Sequence, residues 1–413
     1  MATQQLATSN HNPLLIKLIE QHIAAQPDQR ITFAEYMDLA LYHPQQGYYA
    51  TNQVNIGAQG DFFTSPHLGS DFGELLAEQF AQMWDVLGRP RPFHLVEMGA
   101  GQGLLVQDIV RYLHRHYFEC FDAVEYIIVE KSAALIAEQQ QRLQKLAASW
   151  GQLRWCTWDD IASDSLTGCC FSNELVDAFP VHQVVLDAGQ LREVYVAIAD
   201  SAIESSFQKP FTEVIGDLST PQLSNYFELI GISFASDRYA DGYRTDVNLA
   251  ALDWLKTVSD RLHRGYLLTI DYGYPANRYY SPTRSQGTLQ CYYQHAHHSD
   301  PYSNIGHQDI TAHVDFTALE RQGEQYGLRT VGFTQQGLFL MALGLGDRLA
   351  ALSDSTATEA QSINDILRRR EALHSLMNPM GLGNFGVLIQ SKGLENDQPS
   401  SSATLKGLSL PPM

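Results

Sequence analysis

From residue 93 onward, short apolar runs alternate with amphipathic helical stretches. This alternation constrains the fold more than any other feature of the chain. "FHLVEM" leads into "LLVQDIVRYLHRHY", "VEYIIVE" into "AALIAEQQQRLQKLAA", and "LRWCTW" is followed by "GCCFSNE". Further on, "LAALDWLKTVSDRLH" feeds "GYLLTIDYG", "DFTALERQGEQYG" feeds "LRTVGFT", and "FGVLIQSK" closes the series. Apolar strands joined by helices belong in a parallel sheet covered on both faces. The pattern predicts an α/β, Rossmann-like fold with a mostly parallel seven-stranded sheet. Residues 1–92 read as an N-terminal helical or lid region, with amphipathic helices in "NPLLIKLIEQHIAA" and "GSDFGELLAEQFAQMWDVL". An insertion over 181–250, between the fourth and fifth strands, holds a predicted hairpin in "VHQVVLDAGQLREVYVAI". The main domain is therefore expected over 93–392. Residues 393–413, small, polar and proline-bearing, read as a disordered tail.

The formal charge of −19 excludes a phosphate-binding basic stripe, so nucleic acid is not an expected partner. No apolar stretch approaches the roughly 20 residues that cross a bilayer, so no membrane insertion is expected. The opening "MATQQLATSNHNPLL" has no secretory h-region and lacks the arginines of a mitochondrial transit peptide. Five cysteines without CxxC spacing suit a reducing compartment. A cytoplasmic protein is the expectation.

"LVEMGAGQGLL" puts Gly99, Gly101 and Gly103 behind an apolar strand. A dinucleotide loop carries G-x-G-x-x-G, and Leu104 stands where its third glycine belongs. Glu97, two residues before the first glycine, would repel a pyrophosphate. S-adenosyl-L-methionine carries no phosphate but has an ammonium, a carboxylate and a sulfonium. A strand-tip glutamate suits that cationic part, and glycines let the backbone approach the ligand. The spacing favours this cofactor over a dinucleotide, with a plain strand-to-helix turn as the alternative. Glu130, ending the second strand, can accept ribose hydroxyls, and Asp159 and Asp160, after the third, can take an adenine amino group. Each acid alone also reads as a surface loop residue.

Beyond this loop, "YMDLALYHPQQGYYA", "GDFFTSP", "FGELLAEQF", "SNELVDAFPVHQV", "IDYGY" and "DITAHVDFTAL" resemble the MidA family of class I S-adenosyl-L-methionine-dependent methyltransferases over residues 33–392. The resemblance implies a class I methyltransferase fold and an enzyme that methylates a protein arginine. Mitochondrial members of the family assist respiratory complex I assembly. It also implies that "GDFFTSP" folds over the cofactor, with Asp61 and Thr64 as polar contacts. His67 departs from the family, which commonly has an acid there.

An arginine nucleophile is protonated at ordinary pH, so carboxylates are needed to clamp its planar fork. "SNELVDAFP" supplies Asn173, Glu174 and Asp177 at the end of the fourth strand, and the acids' spacing of three would put both on one face of a helical turn. The alternative is that Asn173 and Asp177 only cap a short helix. The resemblance adds Asp271 and Tyr272 to the substrate pocket. The histidines of "QHAHH" lack a zinc pattern, and no metal is expected. An arginine-bearing protein is the expected partner, and a homodimer is compatible with the sequence. A methyltransferase on another nucleophile and a non-catalytic cofactor-binding assembly factor stay open as alternatives.

Overall fold

The predicted alternation builds a seven-stranded sheet. Its strands are β1 (Phe93–Met98), β2 (Val124–Val129), β3 (Leu153–Cys156), β4 (Leu166–Asn173), β5 (Leu262–Asp271), β6 (Arg329–Gln335) and β7 (Gly386–Lys392). The structure, a computed structural model, describes residues 11–50, 64–199, 209–234, 238–294, 296–352, 362–394 and 404–409. In space the strands run β6-β7-β5-β4-β1-β2-β3. β1 pairs in parallel with β2 and β4, β2 with β3, and β4 with β5, while β7 is antiparallel to both its neighbours. Strand order reverses between β1 and β4. The crevice at their carboxyl ends is the place where open α/β sheets bind ligands.

Both faces of the sheet are apolar because helices cover them. Leu95, Tyr126, Phe171 and Leu268 pack in one core with Phe80 of helix Asp71–Val86 and with Val106 and Ile109 of helix Leu104–His116. Each such side chain contributes about 1.5–3 kcal/mol by leaving water. Helix Ala133–Trp150 is capped at its start by Ser132, whose hydroxyl accepts from the Leu135 N–H, and ends on Gly151 in the left-handed conformation.

Two compact units emerge, and their boundaries differ from those read in the sequence. One holds residues 63–177, 251–275 and 314–413, including the sheet; the other holds 1–62, 178–250 and 276–313. Arg30–Thr32 forms a strand antiparallel to Tyr195–Ala197 of the predicted hairpin, which places the first part of the N-terminal region with the insertion. Helix Asp71–Val86 instead packs into the core of the sheet unit. The hairpin itself is present, turning at Ala188 and Gly189, both with positive φ as a two-residue turn requires. A second excursion, 276–313, leaves after β5. Its strands (Gln290–Tyr293, Ala296–His298, Asp309–Thr311) are too short to stand out as a period.

Of the expected tail over 393–413, residues 395–403 and 410–413 lie outside the described residues, but 404–409 are folded against the sheet unit. Lys406–Leu408 forms a 3-10 turn, with Leu405 buried and Gly407 lying so close to the Phe339 ring that no Cβ could fit. Among the described residues, no helix is long and apolar enough to cross a membrane.

Candidate functional site

The loop after β1 depends on its glycines. Gly99, Gly101 and Gly103 all have left-handed φ, at 68°, 51° and 74°. A Cβ on Gly99 would meet Leu175 Cδ1 at 2.7 Å, and one on Gly103 would meet Leu143 Cδ1 at 3.1 Å. Gly99 therefore lies directly against the segment that follows β4.

Two glutamates end β1 and β2. Glu97 is buried, and the Tyr126 hydroxyl donates to its Oε2 at 2.6 Å. Burial is the main cause that lifts its pKa to about 7, with the Glu130 charge adding to the rise. Glu130 Oε1 accepts the N–H groups of Lys131 at 2.8 Å and Ser132 at 2.9 Å, while Oε2 faces Gln139 Nε2 at 3.4 Å. Its pKa is also raised, by burial first. These two acids and the glycine loop are brought together.

Asp159 and Asp160 are not tied to that group. Both are exposed on the 3-10 turn after β3, and Asp160 Oδ2 accepts from the Thr157 N–H at 2.8 Å and the Thr157 hydroxyl at 2.7 Å. Asp160 closes its own turn, a local use that competes with holding a base. Asp61 lies outside the described residues. Thr64 reaches the glycine loop indirectly: its hydroxyl is 2.7 Å from His67 Nδ1, and His67 Nε2 is 3.3 Å from Gln102 Oε1. Burial lowers the His67 pKa, so a neutral ring accepts from Thr64 and donates to Gln102.

At the ends of β4 and β5 stand three carboxylates. Glu174 has φ 53°, a left-handed conformation that costs a non-glycine residue about 1–2 kcal/mol. Its N–H is held by the Ile270 carbonyl at 2.9 Å. Its Oε1 accepts from Asn173 Nδ2 at 3.0 Å and from the Ser65 N–H at 3.3 Å. Although part of its surface stays open, burial followed by the Asp177 charge lifts its pKa to about 8.

Asp271 is fully buried, and its Oδ2 accepts from the N–H groups of Leu175, Val176 and Asp177 at 3.2, 2.9 and 3.3 Å. Burial, then Asp177 and Glu174, pushes its pKa well up. This corrects the expected placement: Asp271 is buried and engaged with the loop's backbone, and its Oδ1 also accepts from the Tyr272 N–H at 2.9 Å. A second correction concerns the spacing of Glu174 and Asp177. No α-helical turn joins them, because Val176–Ala178 is a 3-10 turn and Glu174 is left-handed. Their proximity comes from the bend itself. Tyr272 completes the group, donating its hydroxyl to Asp177 Oδ2 at 2.6 Å.

Tyr126, Ser65 and Gln139 were not singled out by the sequence reading. Gln139 had a legible signal, since it falls between Leu135 and Leu143 on the buried stripe of its helix. Ser65 had none, because its N–H meets Glu174 across 109 positions of chain. Glycines held where a Cβ would collide, a buried and a half-buried strand-tip acid and the buried, unpartnered Asn173 Oδ1 suit a ligand bearing both a cationic amine and hydroxyls. Among the described residues, no group of three or more His, Cys, Asp or Glu could hold a metal ion. His295 lies outside them.

Residues 75–334 match the family described as "Putative S-adenosyl-L-methionine-dependent methyltransferase". The chain is 30% identical over 380 residues to a protein of Drosophila melanogaster named protein arginine methyltransferase NDUFAF7 homolog, mitochondrial, covering 86% of this chain and 80% of that one. It is 29% identical over 396 residues to the human mitochondrial protein arginine methyltransferase NDUFAF7, covering 88% and 81%. A crystal structure of a COG1565 superfamily member from Burkholderia thailandensis, bound to S-adenosyl-homocysteine, superposes with a TM-score of 0.80 at 30% identity, covering 96% of this chain and 94% of that one. The expected cytoplasmic location is overturned by these comparisons, because the Drosophila, rat and human relatives are all named mitochondrial.

Proposed function

We infer the activity from one premise, that this chain belongs to the S-adenosyl-L-methionine-dependent methyltransferase family: its methyl acceptor is an arginine side chain of a protein. The observation that carries this reading is the carboxylate group at the ends of β4 and β5, set against the glycine loop through Gly99 and Leu175. When bound, S-adenosyl-L-methionine supplies a methyl group on a sulfonium.

In this reading, Glu97, the loop glycines and Glu130 hold the cofactor, with Thr64 beside them through His67 and Gln102. Asp159 is the acid left to take the adenine amino group from the turn after β3, since Asp160 is engaged by Thr157, and Asp61 belongs to the same set by resemblance. Glu174, Asp177 and Asn173 hold the guanidinium. A guanidinium offers five N–H donors in one plane and stays protonated, so two carboxylates fix which nitrogen faces the methyl. Fixing that line of approach contributes through proximity and orientation. Transfer would break the cofactor's S–CH3 bond, leave S-adenosyl-L-homocysteine, and require the nitrogen that gains the methyl to lose a proton. A guanidinium held beside Glu174 would pull its pKa down from about 8, leaving an ionised carboxylate that can accept that proton. Asp271 and Tyr272 keep the loop and Asp177 in place. The relatives' names, protein arginine methyltransferase, support the same acceptor.

Incubation with methyl-labelled cofactor and a cell extract, followed by peptide mass spectrometry, tests the assignment. Label on an arginine guanidinium is expected. Label on a lysine, a carboxylate or a small molecule would overturn it.

A further inference from the structure

Gln139 lies in the middle of helix Ala133–Trp150 and is fully buried between Leu135 and Leu143. A buried primary amide with no partners would be costly, and burying one on an apolar stripe calls for a reason. Three bonds supply it. Nε2 donates to the Gly101 carbonyl at 2.8 Å and faces Glu130 Oε2 at 3.4 Å, while Oε1 accepts from the Trp155 indole N–H at 3.0 Å. One side chain thus joins the glycine loop after β1, the acid that ends β2, and β3.

The geometry is matched from the other side. Gly103 leaves room for this helix face, where an added Cβ would meet Leu143 Cδ1 at 3.1 Å and Gln139 Cγ at 3.6 Å. Gly101, in the middle of the loop, has φ 51°, a conformation glycine adopts freely, and its carbonyl is held from outside the loop by Gln139 Nε2. Glu130 Oε1 is taken by two backbone N–H groups, so Gln139 is the side chain that orients the other oxygen.

We propose that Gln139 is a positioning residue for the cofactor: it sets the Gly101 carbonyl and the Glu130 carboxylate in the arrangement that binds the nucleoside and amino-acid parts of S-adenosyl-L-methionine. The inference rests on the cofactor reading of these strand tips. Leucine at this position keeps the volume and removes all three bonds. Glutamate keeps the acceptor for Trp155 and removes both donors when ionised.

Calorimetric titration of S-adenosyl-L-homocysteine into the full chain, alongside thermal melting of the ligand-free protein, separates the roles. Both Gln139→Leu and Gln139→Glu are expected to raise Kd by about tenfold, the size of leaving one buried polar partner unsatisfied. Measured below the melting transition, a Kd unchanged in both variants overturns the proposal, even if melting drops. Wild-type Kd in Gln139→Glu with a weakened Gln139→Leu also overturns it, since the Trp155 bond alone would then matter. If Gln139→Leu does not fold, Gln139→Glu decides by itself. No binding by the wild type would overturn the proposal together with the reading beneath it.

Discussion

Glu130 and Glu174 are both glutamates at the carboxyl ends of parallel strands, yet their surroundings differ in kind. Glu130 is met by neutral donors, two backbone N–H groups and one amide, that pin it in one orientation. Glu174 shares its pocket with two further carboxylates: burial and then the Asp177 charge raise its pKa, burial and then the Asp177 and Glu174 charges raise that of Asp271, and the Glu174 backbone is held in a left-handed conformation. A donor-lined acid is prepared to accept hydroxyls. An acid crowded by like charges is short of a cation. Residue type and strand-end position are the same in both cases, so the neighbours decide the chemistry.

The sharpest way to break this contrast is to remove charge on the crowded side alone. Glu174→Gln and Asp177→Asn should each lower turnover by about a hundredfold, on the order of 3 kcal/mol, with cofactor affinity unchanged. Full activity with normal cofactor binding in both variants would end the clamp assignment. Steady-state kinetics and calorimetry on the same samples give the answer.

The opposite change belongs to the donor-lined side. Glu130→Gln should weaken cofactor binding by about tenfold and leave turnover at saturating cofactor nearly intact, because uniform binding affects the Michaelis constant rather than the turnover number. A fall in turnover comparable to that of Glu174→Gln would erase the distinction between the two ends.

A smaller effect reports how the halves touch. Gly99→Ala drives a Cβ to 2.7 Å from Leu175 Cδ1 and imposes a positive φ on alanine, so it should destabilise by about 1–2 kcal/mol. Leu175→Ala removes the obstructing methyl, so the double variant should be about 1 kcal/mol more stable than the sum of single losses predicts. Strict additivity in denaturant melts would show that the glycine loop and the acid loop are independent.

The last effect is on pH. Glu97 and Glu174 have folded pKa values of about 7 and about 8, above the ordinary 4.5. Folding therefore favours their protonated forms, and that contribution is fully present below 4.5 and disappears as pH rises through the folded values. The ligand-free protein should melt roughly 5 °C lower at pH 8.5 than at pH 5 from these groups. Glu174→Gln should flatten the slope. An unchanged slope would mean that Glu174 titrates normally and is not crowded.

Much of this molecule was legible before any coordinates. The seven strands, their parallel majority and the 188–189 hairpin turn follow from local patterns, because strand and helix periods and turn residues act over a few positions. The glycine loop and Glu97 were readable for the same reason. Even Gln139 was present as a polar break in an apolar helical stripe. Other features depended on distant parts of the chain. Arg30–Thr32 joins a strand pair more than 160 positions away. Asp271 gathers three N–H groups from 94 to 96 positions earlier, which engages it with the loop's backbone. Asp160, equally acidic in sequence, was claimed by a threonine three residues before it. Sequence alone thus determined the elements and the chemistry they could carry. That Asp271 meets the Glu174–Asp177 bend was decided only when β4 and β5 came side by side, because strand pairing, and not chain proximity, sets that distance.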